Sequence, residues 1–424
     1  MSKHTQITEC RCCGTDVQEY LNLGDQPLAN SYHLENETLD TYPLRLTVCP
    51  SCFHNQLSVV VDPDEMFKNY LYVSGTTTTL HEYFDKFAQH TLSRRRATTF
   101  SESHFTPQEG SHDNKTAVLD IACNDGTQLI YYKKQGCDVW GVDPAENLSD
   151  LARHNGVNLK VGYWNSQLAD ELLSEVGRPF DIITAQNVFA HTHDVLEFLL
   201  ACKSVMHDTT DLYIQTSQAR MFDENQFDTA YHEHLSFFNT KSMKTIVERA
   251  GLFLNDVQIE PIHGDSYVFR INKVANTSNN VDETMDNEFA RGLYSINTYT
   301  KFAQSAQTVV KDLTAMLHLF RMGGYTIVGY GAAAKGMTVL NFAGIDAGLF
   351  SYIIDDNPLK VGRLTPGSNI EIRPVSALDN ETGKLVIVPL AWNFFDEISA
   401  RVRSRVSSTD VLYVRYFPKL HITK

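Results

Sequence analysis

One run of apolar residues sets the frame for the rest of the chain. Val118-Leu-Asp-Ile-Ala-Cys-Asn-Asp-Gly126 is β-branched and aliphatic at first, then closes in an acid, small residues and a glycine. Thr127-Gln-Leu-Ile-Tyr-Tyr-Lys-Lys-Gln-Gly136 follows with helical spacing and a terminal glycine, so the pattern predicts strand, tight turn, helix. A second strand, Asp138-Val-Trp-Gly-Val-Asp143, ends in an acid. That acid lies about twenty residues past the turn, where a dinucleotide-type fold places the carboxylate that holds a ribose diol. The pair predicts a ligand that carries a nucleoside.

The turn itself narrows the ligand. It has no Gly-x-Gly-x-x-Gly, because Ala122 and Asn124-Asp125 fill it, so it is not built for close approach of a pyrophosphate. A carboxylate-rimmed turn suits a cationic cofactor instead, and S-adenosylmethionine carries both a sulfonium and an ammonium. Methyl transfer is the leading expectation, with another nucleotide binder or a purely structural α/β unit as alternatives.

The same alternation continues downstream. Phe180-Asp-Ile-Ile-Thr-Ala-Gln-Asn-Val-Phe-Ala-His191 reads as a fourth strand running into a loop, and Asp211-Leu-Tyr-Ile-Gln-Thr216 as a fifth. Loops at the carboxyl ends of such strands form the binding crevice, so Asn124, Asp143, Asn187 and His191 are expected to converge on one ligand. Upstream, Leu80 to Arg95 predicts an amphipathic helix, and the polar stretch Ser101 to Lys115 a connecting loop. Between about residues 273 and 288 the composition turns to Asn, Ser, Thr and acids, which marks a boundary. A helix from Tyr294 to Met322 then leads to a second strand-turn-helix, Tyr325 to Gly336, with further strands at Phe350 to Asp356 and Leu385 to Pro389. The expected division is therefore 1–70, 71–275 and 276–424.

Composition agrees with two or three domains for 424 residues. With 42% hydrophobic and 21% charged residues the chain is globular in type, and a formal charge of −15 opposes binding to a phosphate backbone, which argues against nucleic acid as a partner. Met1-Ser-Lys-His-Thr-Gln-Ile lacks an apolar signal core, and no apolar run is long enough to span a membrane. A cytoplasmic protein is expected, as a monomer or a dimer, with its eight cysteines reduced or bound to metal. Cys10-x-x-Cys13 and Cys49-x-x-Cys52 are two knuckles of the kind that hold a tetrahedral structural zinc. Cys12 competes with Cys13, but the two-residue spacing favours Cys13. A metal staple also explains how a short, apolar-poor segment folds.

Candidate chemistry concentrates in Phe227-Asp-Thr-Ala-Tyr-His-Glu-His-Leu-Ser-Phe-Phe238. A Tyr, a Glu and two His within four residues are costly to bury together unless they serve one another. On a helical turn Tyr231 and His234 share a face; on an extended segment Tyr231 and Glu233 do. A histidine beside a carboxylate is suited to removing a proton, and a phenol to stabilising oxyanion charge. A satisfied polar turn is the plainer alternative. The pairs His191/His193 and His232/His234 also have metal-ligand spacing, though neither run reads as a regular strand. Gly329-Tyr-Gly-Ala-Ala-Ala-Lys-Gly336 is either a diphosphate cradle or a tight strand-helix contact.

Taken together, these motifs resemble the sugar C-methyltransferase family, which acts on nucleotide-linked keto-deoxysugars. The resemblance rests on the cysteine knuckles, residues 118–126, Gly-Val-Asp-Pro at 141–144, Asn-Val-Phe-Ala-His at 187–191, Tyr-His-Glu-His at 231–234, His-Gly-x-Ser at 263–266 and residues 329–336. It implies an α/β architecture with a small zinc-binding lobe, a Rossmann-like class I methyltransferase domain and a second Rossmann-like domain that helps hold the nucleotide-sugar. His234 is implied as general base, with Tyr231, Glu233 and a tyrosine of the Tyr70–Gly75 loop, Tyr72, beside it. The implied cofactor set is Asp120, Ala122, Asn124, Asp125, Gly126, Asp143, Pro144, Asn187, Val188 and His191. Ser266, Gly331, Lys335 and Asp356 are candidates for the substrate, and Cys10, Cys13, Cys49 and Cys52 for zinc. Asp265, Ala333 and Gln215 depart from the family's usual Gly, Pro and acid.

Overall fold

The computed structural model describes residues 3–67, 74–76, 78–102, 115–262, 264–406 and 410–424. Tyr72 and His263 therefore lie outside the described residues, as does most of the loop expected between Ser101 and Lys115. In the N-terminal lobe, strands β1 (Gln18–Pro27), β2 (Thr41–Val48) and β3 (Asn55–Leu57) pair in antiparallel order. A fourth, two-residue strand, Ser236–Phe237, joins the edge of β3 from nearly two hundred residues away. It belongs to the Tyr-His-Glu-His segment, so the zinc lobe and the candidate catalytic turn share one sheet.

Helix α1 (Thr78–Glu102) is longer than its apolar stripe suggested and leads to the central sheet. That sheet is built from β4 (Ala117–Ile121), β5 (Asp138–Asp143), β6 (Asn158–Val161), β7 (Phe180–Gln186), β8 (Met206–Thr216), β9 (Phe253–Glu260) and β10 (Ser266–Asn272). Helix α2 (Thr127–Lys134) links β4 to β5. The order is β9-β10-β8-β7-β4-β5-β6, with β10 antiparallel to both neighbours and the others that flank β4 parallel. Every residue of β4 is buried, as a parallel strand covered on both faces requires. The chain leaves β4 in one direction toward β5 and returns on the other side at β7, so a topological switch point opens between β4 and β7.

The polar stretch at 273–288 contains a helix for most of its length. Helix α3 (Asn279–Ala290) packs against β9, with Val281 buried and Met285 against the same core. The carboxylate of Glu288, fully buried, accepts from the Thr240 backbone N–H and hydroxyl and from the Tyr267 hydroxyl at 2.7–3.0 Å. The break between central and C-terminal cores falls after this helix. Helix α4 (Ile296–Met322) then leads to β11 (Thr326–Tyr330), α5 (Ala334–Ala343), β12 (Tyr352–Ile354), β13 (Ile372–Arg373), β14 (Leu385–Pro389), β15 (Val411–Arg415) and β16 (His421–Thr423). These strands form a six-stranded sheet, β13-β12-β11-β14-β15-β16, parallel except for β16. The cores of the first lobe, the 227–237 segment and this sheet merge into one apolar cluster.

Candidate active site

The crevice begins with the turn after β4, where Ala122, Asn124 and Gly126 all have φ between 53° and 76°. Three left-handed residues within five turn the chain sharply enough to aim its amides at β5. Asp143, at the end of β5, accepts from the Asn124 N–H and the Ala145 N–H, each at 2.8 Å, so Pro144 sits inside a loop that the same carboxylate ties to the turn. Each oxygen keeps a lone pair for a ligand. Burial raises the pKa of Asp143, and the two N–H donors oppose that rise. Asp125 accepts from the Thr127 N–H at 3.1 Å and the Gly75 N–H at 3.0 Å, while Asn124 Oδ1 accepts from the Ser74 N–H at 3.0 Å. The short segment Ser74–Thr76 thus lies over the turn. A Cβ on Gly75 would stand 2.5 Å from Asp125 Oδ2, so a larger residue there would push that carboxylate out of place. Beneath the turn, Asp120 accepts from the Thr184 hydroxyl at 2.7 Å, and burial pushes its pKa up to about 7.

The opposite rim is the end of β7. Asn187 is also left-handed, at φ 53°, and its N–H donates to the Gln215 carbonyl at 3.1 Å. Its Oδ1 is buried without a protein partner, an acceptor of the kind an ammonium satisfies. Together with the carboxylate of Asp143, this donor-poor rim fits a cationic nucleoside ligand. Val188 accepts from the His191 N–H at 2.8 Å, which closes a short turn and swings the His191 ring inward.

There it meets the Tyr-His-Glu-His segment, whose backbone settles the alternative left by the sequence. The His234 N–H donates to the Tyr231 carbonyl at 2.8 Å, so the segment is a tight turn, and Tyr231 and His234 share a face. Their ring centroids are 4.1 Å apart, and His191 stands edge-on to His234 at 4.9 Å. His234 Nδ1 lies 2.7 Å from the Thr229 carbonyl. A carbonyl only accepts, so Nδ1 carries the proton and Nε2 carries the lone pair, which faces the Tyr231 hydroxyl at 2.8 Å. Burial depresses the pKa of His234 and holds that of His191 at about 4, so both rings are neutral near pH 7. Glu233 turns the other way and accepts from Asn30 of the zinc lobe at 2.5 Å. The His-x-His pairs do not form a metal centre among the described residues: His232 bonds the Tyr42 carbonyl and His193 lies against Arg11.

The four knuckle sulfurs lie within 4.8 Å of one another, with Cys10 to Cys52 at 3.5 Å and Cys13 to Cys49 at 3.4 Å. Tetrahedral zinc with Zn–S bonds of about 2.3 Å calls for sulfurs roughly 3.8 Å apart, so these residues fit that ion. Cys12 is buried outside the set.

The substrate candidates separate. Ser266 is fully buried; its hydroxyl donates to the Ile262 carbonyl at 2.9 Å and accepts from Gln215 at 3.3 Å, so it braces β8 and does not face a ligand. Gln215 also accepts from the Tyr83 hydroxyl at 2.7 Å, a use an acid would share. Asp356 is exposed and paired with Arg401 on the outer surface. At Gly331 a Cβ would approach Ala391 Cβ to 2.5 Å, and at Gly336 it would approach Leu390 Cβ to 2.7 Å. Tight packing of α5 on β14 accounts for these glycines. Asp265 adopts φ 67°, a conformation that explains glycine elsewhere in the family, and the Ala333 N–H donates to the Gly331 carbonyl, a bond proline lacks. Lys335 alone of the four reaches inward, its ammonium 5.0 Å from the Trp392 ring centroid.

Sequence reasoning missed Thr229, Asn30, Asp228 and Trp392. Thr229 and Asp228 were adjacent to the motif, but their roles depend on a carbonyl and on a contact 164 residues away, for which the sequence carries no periodic signal.

Comparison with known proteins agrees with this geometry. Residues 10–67 match a putative zinc binding domain, 84–256 a methyltransferase domain, and 261–418 a C-methyltransferase C-terminal domain. The chain is 28% identical to the C-methyltransferase NovU of Streptomyces niveus, over 92% of this chain and 91% of that one. It is 26% identical to a ubiquinone biosynthesis O-methyltransferase of Coxiella burnetii over only 33% of this chain and 64% of that one. A solved Synechocystis magnesium protoporphyrin IX methyltransferase with bound SAM aligns with 45% of this chain and 79% of that chain, at 12% identity and a TM-score of 0.31. Fold, family matches and site define an S-adenosylmethionine-dependent C-methyltransferase with a four-cysteine zinc site. The chain belongs to the C-methyltransferase family that joins an N-terminal zinc-binding domain, a methyltransferase domain and a C-methyltransferase C-terminal domain. Among the described residues no helix is long and apolar enough to cross a membrane.

Proposed function

We propose that the enzyme methylates C3 of a nucleotide-linked 4-keto-6-deoxyhexose. The observation that carries this reading is the tautomer of His234: with Nδ1–H held by Thr229, the lone pair on Nε2 is presented beside the Tyr231 hydroxyl, next to the crevice rimmed by Asp143 and Asn187. A carbon bonded to ordinary hydrogens is no nucleophile, so carbon methylation needs a base and an adjacent carbonyl. In this mechanism the C3–H bond breaks, its proton passes to Nε2 of His234, and the electron pair moves onto the C4 oxygen as an enolate. Tyr231 hands its hydrogen bond from His234 to the substrate as the ring takes the proton. S-adenosylmethionine supplies the electrophilic methyl group on a sulfonium. Asp143, Asn124 and Asn187 hold the donor, Glu233 and Asn30 lock the zinc lobe to the base, and Tyr72 completes the proton-handling group.

Incubation with isotopically labelled S-adenosylmethionine and a panel of dTDP-, GDP- and CDP-linked 4-keto-6-deoxyhexoses tests the reading by mass analysis of products. Label in a sugar-nucleotide whose new methyl sits on a ring carbon supports it. A methyl on oxygen or nitrogen would favour the runner-up, a sugar O- or N-methyltransferase.

A further inference from the structure

The C-terminal domain contributes a charged side chain to the wall of the catalytic turn. Helix α5 is bolted to that turn: the Thr338 hydroxyl donates to the Ala230 carbonyl at 3.0 Å, one peptide beyond the Thr229 carbonyl that holds His234. Lys335 lies three residues before Thr338 and so shares its face of the helix. The close packing of Gly331 and Gly336 on Ala391 and Leu390 lets α5 sit this deep.

The Lys335 ammonium rests over Trp392, whose indole N–H donates to Asp228 Oδ2 at 2.7 Å. Asp228 is fully buried, and its Oδ1 has no protein partner. Among the described residues no side chain or carbonyl accepts a hydrogen bond from the Lys335 ammonium. Lys335 is half-buried, with no acceptor among those residues for its three N–H donors, and Asp228 Oδ1 is removed from water without a partner, which is costly unless a ligand completes it. The field of Lys335 also reaches the His234 ring, where it acts with burial and His191 to lower the basicity of that ring. Burial lowers the pKa of Lys335 itself, and Asp228 counters this.

We infer that Lys335 is a catalytic residue of the methyl transfer, its ammonium donating to the C4 oxygen of the sugar as that oxygen becomes an enolate, with Asp228 as the positioning residue that aims it. The inference rests on the functional reading above and adds a charged donor for the oxyanion to the Tyr231 hydroxyl already in that reading. A diphosphate is the poorer occupant, because its charge would meet the Asp228 carboxylate. A ketone oxygen acquires charge only as C3 loses its proton, and at that moment a fixed ammonium in a water-poor site stabilises it most. The step balances: the C3–H pair becomes the C3–C4 double bond, the carbonyl π pair moves to oxygen beside Lys335, and the proton resides on His234. When C3 takes the methyl, the carbonyl reforms and the ammonium is unchanged.

Proton exchange at C3 isolates this step from methyl transfer. Holoenzyme with bound zinc is mixed with S-adenosylhomocysteine in place of the donor, in D2O, with whichever dTDP-, GDP- or CDP-linked 4-keto-6-deoxyhexose the wild type turns over, and C3–H loss is followed by NMR. Lys335→Met should slow exchange at saturating sugar by about 10²- to 10³-fold, with sugar KM within a few-fold of wild type and S-adenosylhomocysteine affinity unchanged by calorimetry. If that variant does not bind S-adenosylhomocysteine, Lys335→Arg decides, with exchange slowed by roughly 10-fold and KM little changed. Wild-type exchange rates in the decisive variant, with or without a raised KM, would overturn the inference and leave Lys335 at most a binding group. A wild type that exchanges no C3 proton would instead refute the functional reading.

Discussion

His234 Nδ1 and the Thr229 carbonyl oxygen stand 2.7 Å apart, and this single contact decides which ring nitrogen is basic. A base so oriented has no substitute in the turn: His232 is committed to Tyr42, and the His191 ring meets His234 only edge-on. His234→Asn should lower kcat by on the order of 10²-fold or more while the affinity for S-adenosylmethionine, measured by calorimetry, stays within about two-fold. Full turnover in that variant would remove His234 from the mechanism.

Tyr231 shares the lone pair of His234 at 2.8 Å, so in the proposed mechanism its hydroxyl acts with the base. Tyr231→Phe should reduce kcat by about 10- to 100-fold and leave KM for the donor unchanged. An effect on donor KM alone would place the phenol in cofactor binding.

Asp143 ties two backbone amides, those of Asn124 and Ala145, to the end of β5. Hydrogen bonds to a charged group contribute about 1.5–3 kcal/mol each, so Asp143→Ala should raise the Kd for S-adenosylmethionine by on the order of 10- to 100-fold. Isothermal titration is the check, and an unchanged Kd would show that the ribose is held elsewhere.

Zinc should matter to catalysis as well as to folding, because the strand Ser236–Phe237 that follows His234 is paired to β3, just past the Cys49 knuckle. One zinc per chain is expected by elemental analysis. Chelation under mild conditions should lower Tm and cut methyl transfer before S-adenosylmethionine binding is lost. Retained activity in a metal-free protein would separate the two sites.

Acid should destabilise the fold in a defined window. Burial holds His191 and His232 near pKa 4 and depresses His234, whereas an unfolded chain's histidine titrates near 6.5. Between those values the unfolded state binds more protons, so this contribution is complete above pH 6.5 and is lost as pH falls toward 4. Thermal melts across that interval should show a falling Tm, with a shallower slope in His232→Asn than in the parent.

How much of this was legible follows from how local each feature is. The β4 turn and the cysteine knuckles announce themselves because strand, turn and ligand spacing are written within about ten residues. The conformation at 231–234 was not readable, since it depends on Thr229 and on α5 docking behind it. Asn30 reaches Glu233 across 203 residues, a pairing no local pattern encodes. The helix inside the stretch at 273–288 was not readable because one of its two buried positions, Val281 and Glu288, is a carboxylate that Thr240, Tyr267 and Tyr294 make tolerable. Ser266 was a substrate candidate through the family resemblance alone, and the hydroxyl's place against Gln215 and the Ile262 carbonyl depends on strand pairing that the local sequence does not encode.

The most direct test uses a substrate deuterated at C3. Each turnover should release that deuteron to solvent and leave a methyl on the same, now quaternary, carbon, seen by NMR as methyl protons coupled to no ring proton. Product that keeps deuterium at C3 while bearing its new methyl on another atom would contradict the account.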